Sequence, residues 1–429
     1  DGGFGDWITE EVEIDLNNRF WGFVQKRIQL GLKFKVRCSL LSGEEPHVRF
    51  YRSAIYNSQG WASPQSIADE LIDHFWQEET QTQEEGDQTL RISPFAQVYE
   101  TIPDQARGVA RTCRYLAHRY DWDLLLCQIH APDGLNHEKL SGICPDSPMY
   151  DPSRVEEMWE EFRAEYSVLD QAVGEIIEGC SDPDTVVVVV SDHGGVPAFR
   201  VVRILDFLVQ AGLISYQVDQ DRDVITMDWE RSKAILGSHP LAQNVWVNLK
   251  GREPQGVVEP GEEYERVRDQ VIDTLYAIRD PESGKCPIAL ALRKEEAGFL
   301  GQWGDRVGDV VYYLRPGYLD DAMAVIAVRP VKREVLESET FRPVASMLAQ
   351  GGFNPDMLPG AHHAYLPGAR MGDLSVRGVL MVAGPGIRKG YSCRAPVWTV
   401  DVTPTICHVL GIPVPAQAEG RIISEVFES

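Results

Sequence analysis

Five consecutive valines, Val186 to Val190, run directly into Ser191, Asp192, His193, Gly194 and Gly195. β-Branched side chains pack well on both faces of a strand, so an unbroken run of this kind reads as a strand buried on both sides. Burial on both sides belongs to sheets covered by helices, which restricts the chain to the α/β class with the valine strand central and parallel. In open sheets of this class the carboxyl ends of the strands border the ligand crevice. Asp192 and His193 emerge at such an end.

The neighbouring sequence supplies partners for that strand. "WDLLLCQIH", residues 122 to 130, reads as a second buried strand. From Arg154 onward, Val155, Met158, Trp159, Phe162, Tyr166, Leu169, Val173 and Ile176 recur at helical spacing, an apolar stripe suited to core packing. A helix joining the two strands makes a crossover unit and implies a parallel pair. Further helices are expected near 104 to 120, in "EEYERVRDQVIDTLYAI" and in "VDVTPTICHVLGIP", the last with Thr403 as N-cap, Pro404 in the first turn and Gly411 past its end. "GDVVYYLRPG" and "RGVLMVAGPG" read as strands, whereas 319 to 359 carries few periodic signals.

Residues 7 to 56 differ in character. "WITEEVEIDL", "GLKFKVRCSL" and "HVRFYRSAIY" alternate apolar with charged side chains, the pattern of a small antiparallel layer solvated on one face. A short helix introduced by Ser63 and Pro64 follows, then the polar stretch "EETQTQEEGDQ". The expected organisation is a strand-rich N-terminal segment and linker over 1–100, followed by one large domain over 101–429. For that domain the sequence predicts a three-layer α/β/α sandwich with a largely parallel central sheet.

Charge narrows the partners. Sixty-five acidic residues against 41 basic ones give a formal net charge of −24, which repels nucleic-acid backbones and anionic membranes. Phosphate esters of small molecules remain suitable ligands where metal cations and a few arginines supply local positive charge. No apolar run approaches the roughly 20 residues that span a bilayer. The eight cysteines are scattered without a CxxC pair, the pattern of free thiols in a reducing compartment. A cytoplasmic location is expected on those grounds.

Two acid-plus-histidine pairs carry the chemistry. In "QIHAPDGLNHE", Asp133 and His137 lie four residues apart just past the second strand, with His130 between strand and loop. A carboxylate and an imidazole this close can hold one divalent cation, zinc being usual for mixed nitrogen and oxygen donors. Asp192 and His193 form the other pair. Each pair alone is a common coincidence, but two at the ends of strands joined by one crossover should face one crevice. A third element, "PGAHHAYLPGAR", brings His362 and His363 in a Gly/Pro-rich loop ahead of the last strand, and ends in Arg370.

In this order, "PDGLNH", "VVVVVSDHGG", the "GAHH…LPGAR" loop, "MVAGPGIRKG" and "VDVTPTICHVLGIPVP" resemble the alkaline phosphatase superfamily, most closely its type I phosphodiesterase/nucleotide pyrophosphatase branch. The resemblance covers the chain from about residue 100 onward. It implies hydrolysis of phosphodiesters or nucleotide pyrophosphates at a site of two divalent metals, zinc or manganese. By position it implies Asp133, His137 and His362 as ligands of one metal and Asp192 and His193 as ligands of the other, with His363 a spare candidate. His130 and Arg370 are expected to contact phosphate or leaving group. The family's Ser or Thr nucleophile, and a further Asp ahead of it, have no counterpart in residues 1 to 100. Ser58, Ser63 and Ser66 do not fit the pattern, so both groups are expected on an upstream segment or a companion chain. A phosphomonoesterase or phosphomutase of the same superfamily, or a non-catalytic binding subunit that keeps part of the metal site, are the alternatives.

Overall fold

The structure is a computed structural model that describes residues 8–15, 29–41, 47–52, 62–78, 102–237, 243–321, 324, 326–327, 330–350, 357–363 and 365–428. The chain forms two compact units, one of residues 1–134 and 165–180, the other of residues 135–164 and 181–429.

In the first unit, β1 (Ile8–Asp15), β2 (Gln29–Leu41) and β3 (His47–Arg52) form an antiparallel sheet in sequence order, with Ile8 opposite Val36 and Val36 opposite Arg52. The alternating pattern of these segments predicts such a layer. Helix α1 (Gln65–Glu78) begins directly after Pro64, whose fixed φ suits a helix start. Helix α2 (Ile102–Arg119) sets Ala106 and Ala110, one turn apart, against Ala172, with Val168, Ile176 and Ile129 packed around them. Helix α3 (Ala131–Lys139) follows, and Ala172 and Ile176 belong to the 26-residue helix α4 (Val155–Cys180), which runs through both units. The short alanine side chains let the two helix axes approach closely.

The expected strand at 122–130 is not formed. That segment carries neither ladder nor helix, and Leu124 and Leu126 are exposed. A strand exists only through its neighbour's backbone groups, and among the described residues none is offered there. The predicted parallel pairing with the valine strand is therefore absent.

The second unit holds β4 (Val187–Val190), β5 (Val196–Val202), α5 (Ile204–Gln210), β6 (Tyr216–Asp219), β7 (Val224–Met227), β8 (Ala234–Leu236), β9 (Asn244–Val247) and α6 (Glu262–Ala277). It continues through β10 (Ile288–Arg293), β11 (Val310–Leu314), β12 (Gly317–Asp320), β13 (Val331–Lys332), α7 (Arg333–Glu337), β14 (Phe341–Pro343), α8 (Val344–Gln350), β15 (Gly360–Ala361), β16 (Arg370–Met371), β17 (Leu374–Ser375), β18 (Leu380–Ala383) and α9 (Val402–Leu410). The class is α/β and the sheets are mixed, but the valine strand is not the central, doubly buried parallel strand expected: β4 is only partly covered, Val190 is 43% exposed, and among the described residues its one partner is β18. β4 pairs antiparallel with β18, Val190 lying opposite Leu380. β5 is the strand most completely enclosed: it pairs parallel with β12 and antiparallel with β14 and β15.

Chain separation explains the mixture. β6 and β7, or β8 and β9, are joined by connections too short for a crossover, so they return antiparallel. β12 reaches β5 from more than a hundred residues away and is free to run parallel. The core of this unit gathers around β5, with Val196, Ala198, Val201, Val202, Ile204 and Leu208 inside it. At α9 the expected cap moves: Asp401, not Thr403, is the N-cap residue, and its carboxylate accepts the Trp398 and Arg421 amides. Gly411 closes the helix in the left-handed conformation, at φ 66°.

Candidate metal centre

The valine strand ends on a hydroxyl. The Ser191 amide donates to the Val379 carbonyl at 2.9 Å, and the Val379 amide donates to Ser191 Oγ at 2.7 Å. The ladder is thus closed by a side chain just before the chain turns into Asp192 and His193. The two glycines beyond are there for close approach: a Cβ at Gly194 would strike the carbonyl oxygens of Ser375 and Arg377, while the Gly194 amide donates to Val376 at 2.8 Å. Only a glycine lets this turn lie flat on the segment after β17.

The turn fixes the His193 ring. Its Nδ1 lies 2.9 Å from the Gly194 carbonyl oxygen, which can only accept, so Nδ1 carries the proton and Nε2 presents its lone pair. Nε2 stands 3.5 Å from Asp192 Oδ2, and the Asp192 side chain is 77% exposed.

Asp133 and His137 sit one turn apart on α3, and their side chains share a face. His137 repeats the arrangement of His193: Nδ1 lies 2.9 Å from the Gly360 carbonyl oxygen, so Nε2 again presents a lone pair. That Nε2 is 3.2 Å from His362 Nε2. Asp133, His137 and His362 each offer a ligand atom, all within 4.8 Å of one another. The His362 ring stacks on His193 with centroids 3.5 Å apart and planes 9° from parallel. The two sequence pairs and the loop histidine thus lie side by side.

This donor set fits a divalent cation. Tetrahedral zinc with bonds of about 2.0–2.1 Å holds two ligand nitrogens about 3.3 Å apart, close to the separation of the His137 and His362 nitrogens. A backbone carbonyl on the far ring nitrogen is the usual support of a metal-ligating histidine. Both His137 and His193 have one.

The remaining candidates lie around this group or away from it. His363 turns edge-on to His362, its ring centroid 6.3 Å from that of His137. His130 Nε2 is 3.4 Å from Asp133 Oδ2. Arg370 is exposed on β16 and donates to the Gly372 carbonyl at 3.3 Å. Ser63 and Ser66 stand just before and within α1, and Ser58 lies outside the described residues. Sequence reasoning did not find the Gly360 and Gly194 carbonyls, because a backbone acceptor has no residue-type signature.

Among the described residues no helix is long and apolar enough to cross a membrane. The chain has no significant match among curated protein sequences. Among solved structures it is similar to a mutant of alkaline phosphatase PafA at 15% identity with a TM-score of 0.39, covering 76% of this chain and 53% of that one. The chain therefore spans about half the length of that protein. The family model described as type I phosphodiesterase / nucleotide pyrophosphatase matches residues 5–323, a span that holds Asp133, His137, Asp192 and His193 and excludes His362. With about three quarters of its length so matched, the chain belongs to the type I phosphodiesterase / nucleotide pyrophosphatase family.

Proposed function

We propose that the chain hydrolyses phosphodiesters or nucleotide pyrophosphates at a two-metal site. In this reading Asp133, His137 and His362 hold one cation, and Asp192 and His193 hold the other. Zinc suits the donor set best and manganese second. The observation that carries the reading is the pair of Nε2 atoms 3.2 Å apart, one of them held by a backbone carbonyl so that its lone pair faces the other. Two cations supply positive charge to the phosphoryl oxygens and lower the pKa of an attacking hydroxyl. The chain's own part is to hold those charges in place within a protein of net charge −24, which otherwise repels phosphate. The Gly360 and Gly194 carbonyls orient the two imidazoles, and α3 sets Asp133 one turn from His137.

His130, beside Asp133, and Arg370 are assigned to the phosphate or leaving group. No nucleophile is assigned to Ser58, Ser63 or Ser66. The substrate is a small phosphate ester or nucleotide, in a cytoplasmic setting.

The test uses the protein loaded with zinc or manganese and an aryl phosphodiester, an aryl phosphomonoester and a dinucleotide pyrophosphate as substrates. The diester and pyrophosphate are expected to be preferred. Asp133→Ala and Asp192→Ala should each remove about one equivalent of metal by elemental analysis while the circular dichroism spectrum is kept. Variants that keep both metals would overturn the ligand assignment. Preference for the monoester would assign the chain to the phosphatase side of the superfamily.

A further inference from the structure

The β16–β17 hairpin adjoins both histidine-bearing segments of the second unit. It pairs Arg370 with Ser375, and the Val376 amide donates to the Ala369 carbonyl at 3.1 Å, which carries the register one step further. The next step sets Arg377 opposite Gly368, and a Cβ added at Gly368 would lie 3.8 Å from Arg377 Nη2. Side chains alternate along each strand, so Arg370 and Arg377 share one face as diagonal neighbours. Diagonal positions lie about 7–8 Å apart, a gap that long side chains bridge.

The hairpin is tied to the turn after the valine strand. Gly194, next to His193, donates its amide to the Val376 carbonyl at 2.8 Å. A Cβ there would stand 2.5 Å from the Arg377 carbonyl oxygen. Gly368, which meets the Arg377 guanidinium, belongs to the loop that begins with His362 and His363. Both arginines are exposed, and among the described residues neither forms an ion pair. Asp146 Oδ2 lies beside Gly372 at the hairpin turn and accepts from neither. Elsewhere in this unit carboxylates hold the more enclosed arginines, Arg200 through Asp280, Arg252 through Asp309 and Arg342 through Asp321. Carboxylates are plentiful in a chain of net charge −24, so two neighbouring cations without one stay open to an anion from solution.

We propose that Arg370 and Arg377 form an anion subsite for the second phosphoryl group of a pyrophosphate-containing substrate, with Arg377 setting the preference for that group. The inference rests on the proposed metal centre, which takes the reacting phosphoryl group. A guanidinium presents paired N–H donors that match phosphate oxygens. A plain phosphodiester carries its only charge at the reacting phosphorus and gains nothing from the pair. A pyrophosphate carries further charge one bridging oxygen away.

The experiment titrates the folded chain, zinc-loaded and metal-free, with methylenediphosphonate and with methylphosphonate by isothermal calorimetry. In the zinc-loaded protein the diphosphonate is expected to bind about tenfold tighter than the monophosphonate, the worth of one charge-assisted hydrogen bond. Arg377→Ala should remove most of that preference while zinc content and the circular dichroism spectrum stay as in wild type. Arg306→Ala removes the same charge from the β10–β11 connection and should leave the preference intact. The diphosphonate also chelates zinc, so a preference that survives in both Arg370→Ala and Arg377→Ala comes from the metals alone and would overturn the proposal. Equal weakening in Arg306→Ala would also overturn it, because net charge and not a subsite would then be at work. The metal-free titration separates this result from the ligand assignment: there the diphosphonate should bind weakly and lose that binding in Arg377→Ala. Zinc retained in His137→Ala would count against the metal centre and leave the arginine result standing.

Discussion

At Gly360 a β-carbon would lie 2.6 Å from the Asn136 carbonyl oxygen and 2.6 Å from Leu140 Cβ. That closeness is what lets the Gly360 carbonyl reach His137 and brings His362, two residues on, beside it. Gly360→Ala is expected to push β15 off α3, at a cost of about 1–3 kcal/mol in stability. Zinc affinity should fall about 10–100-fold, as it does when the group behind a ligating histidine is lost. Gly134→Ala, on α3 itself with nothing within 4 Å of the added carbon, is the control and should leave zinc affinity unchanged. Isothermal titration of both variants checks the pair; equal losses would show that the Gly360 contact is irrelevant to the metal. The candidate side chains were legible as acid-plus-histidine pairs, although only Asp192 and His193 follow a strand and Asp133 and His137 lie on α3. Their orientation was not, because it rests on carbonyls at Gly194 and Gly360 that any residue type would supply.

Among the elements, β12 carries an unusual acid. Asp320 is partly buried, accepting from Tyr312 Oη at 2.5 Å and from the Asp321 amide at 2.7 Å. Burial, against the pull of the Tyr312 hydrogen bond, pushes its carboxyl up to about 6. The folded state therefore keeps a proton that the unfolded chain releases near pH 4. Stability falls as pH rises from about 4 to about 6, by about 3 kcal/mol, and levels off above. Asp320→Asn keeps the acceptor oxygen and should flatten that fall relative to wild type in urea unfolding at pH 4, 5, 6 and 7. An identical profile would place the titration elsewhere.

Asp309 behaves oppositely. Burial works to raise it, but hydrogen bonds from Arg252, the Val247 amide and Tyr264 hold it below the ordinary carboxylate range. Its contribution is present above that range and is lost as pH falls through its depressed value. Asp309→Ala leaves the Val247 amide and the Tyr264 hydroxyl without their acceptor and should cost about 3–5 kcal/mol at neutral pH, read as a lowered urea midpoint. Helices α2, α4 and α6 were legible because their period is local. Strand partners were not: the valine run reads equally well beside a parallel neighbour or beside β18, and nothing near residues 122–130 in sequence says whether a ladder forms there.

For the whole molecule, the two halves of the proposed centre differ in how they are held. Asp133, His137 and His362 give three protein ligands, the usual number at catalytic zinc. Asp192 and His193 give two, and the Asp192 carboxylate stands mostly in solvent. Zinc titration of residues 1–429 should show one tight equivalent and a second at least tenfold weaker. Two equally tight equivalents would mean that the second site has a ligand not assigned to it. The His137–His362 contact joins positions 225 residues apart in the chain. Loop closure over that distance carries an entropy cost that contacts elsewhere in the fold must offset. A nascent or partly folded chain therefore has a carboxylate and one imidazole on α3 but no tight grip on zinc. In the proposed reading, metal uptake would report that the fold is finished, and ambient zinc, stabilising only the completed state, would sort finished chains from unfinished ones by mass action.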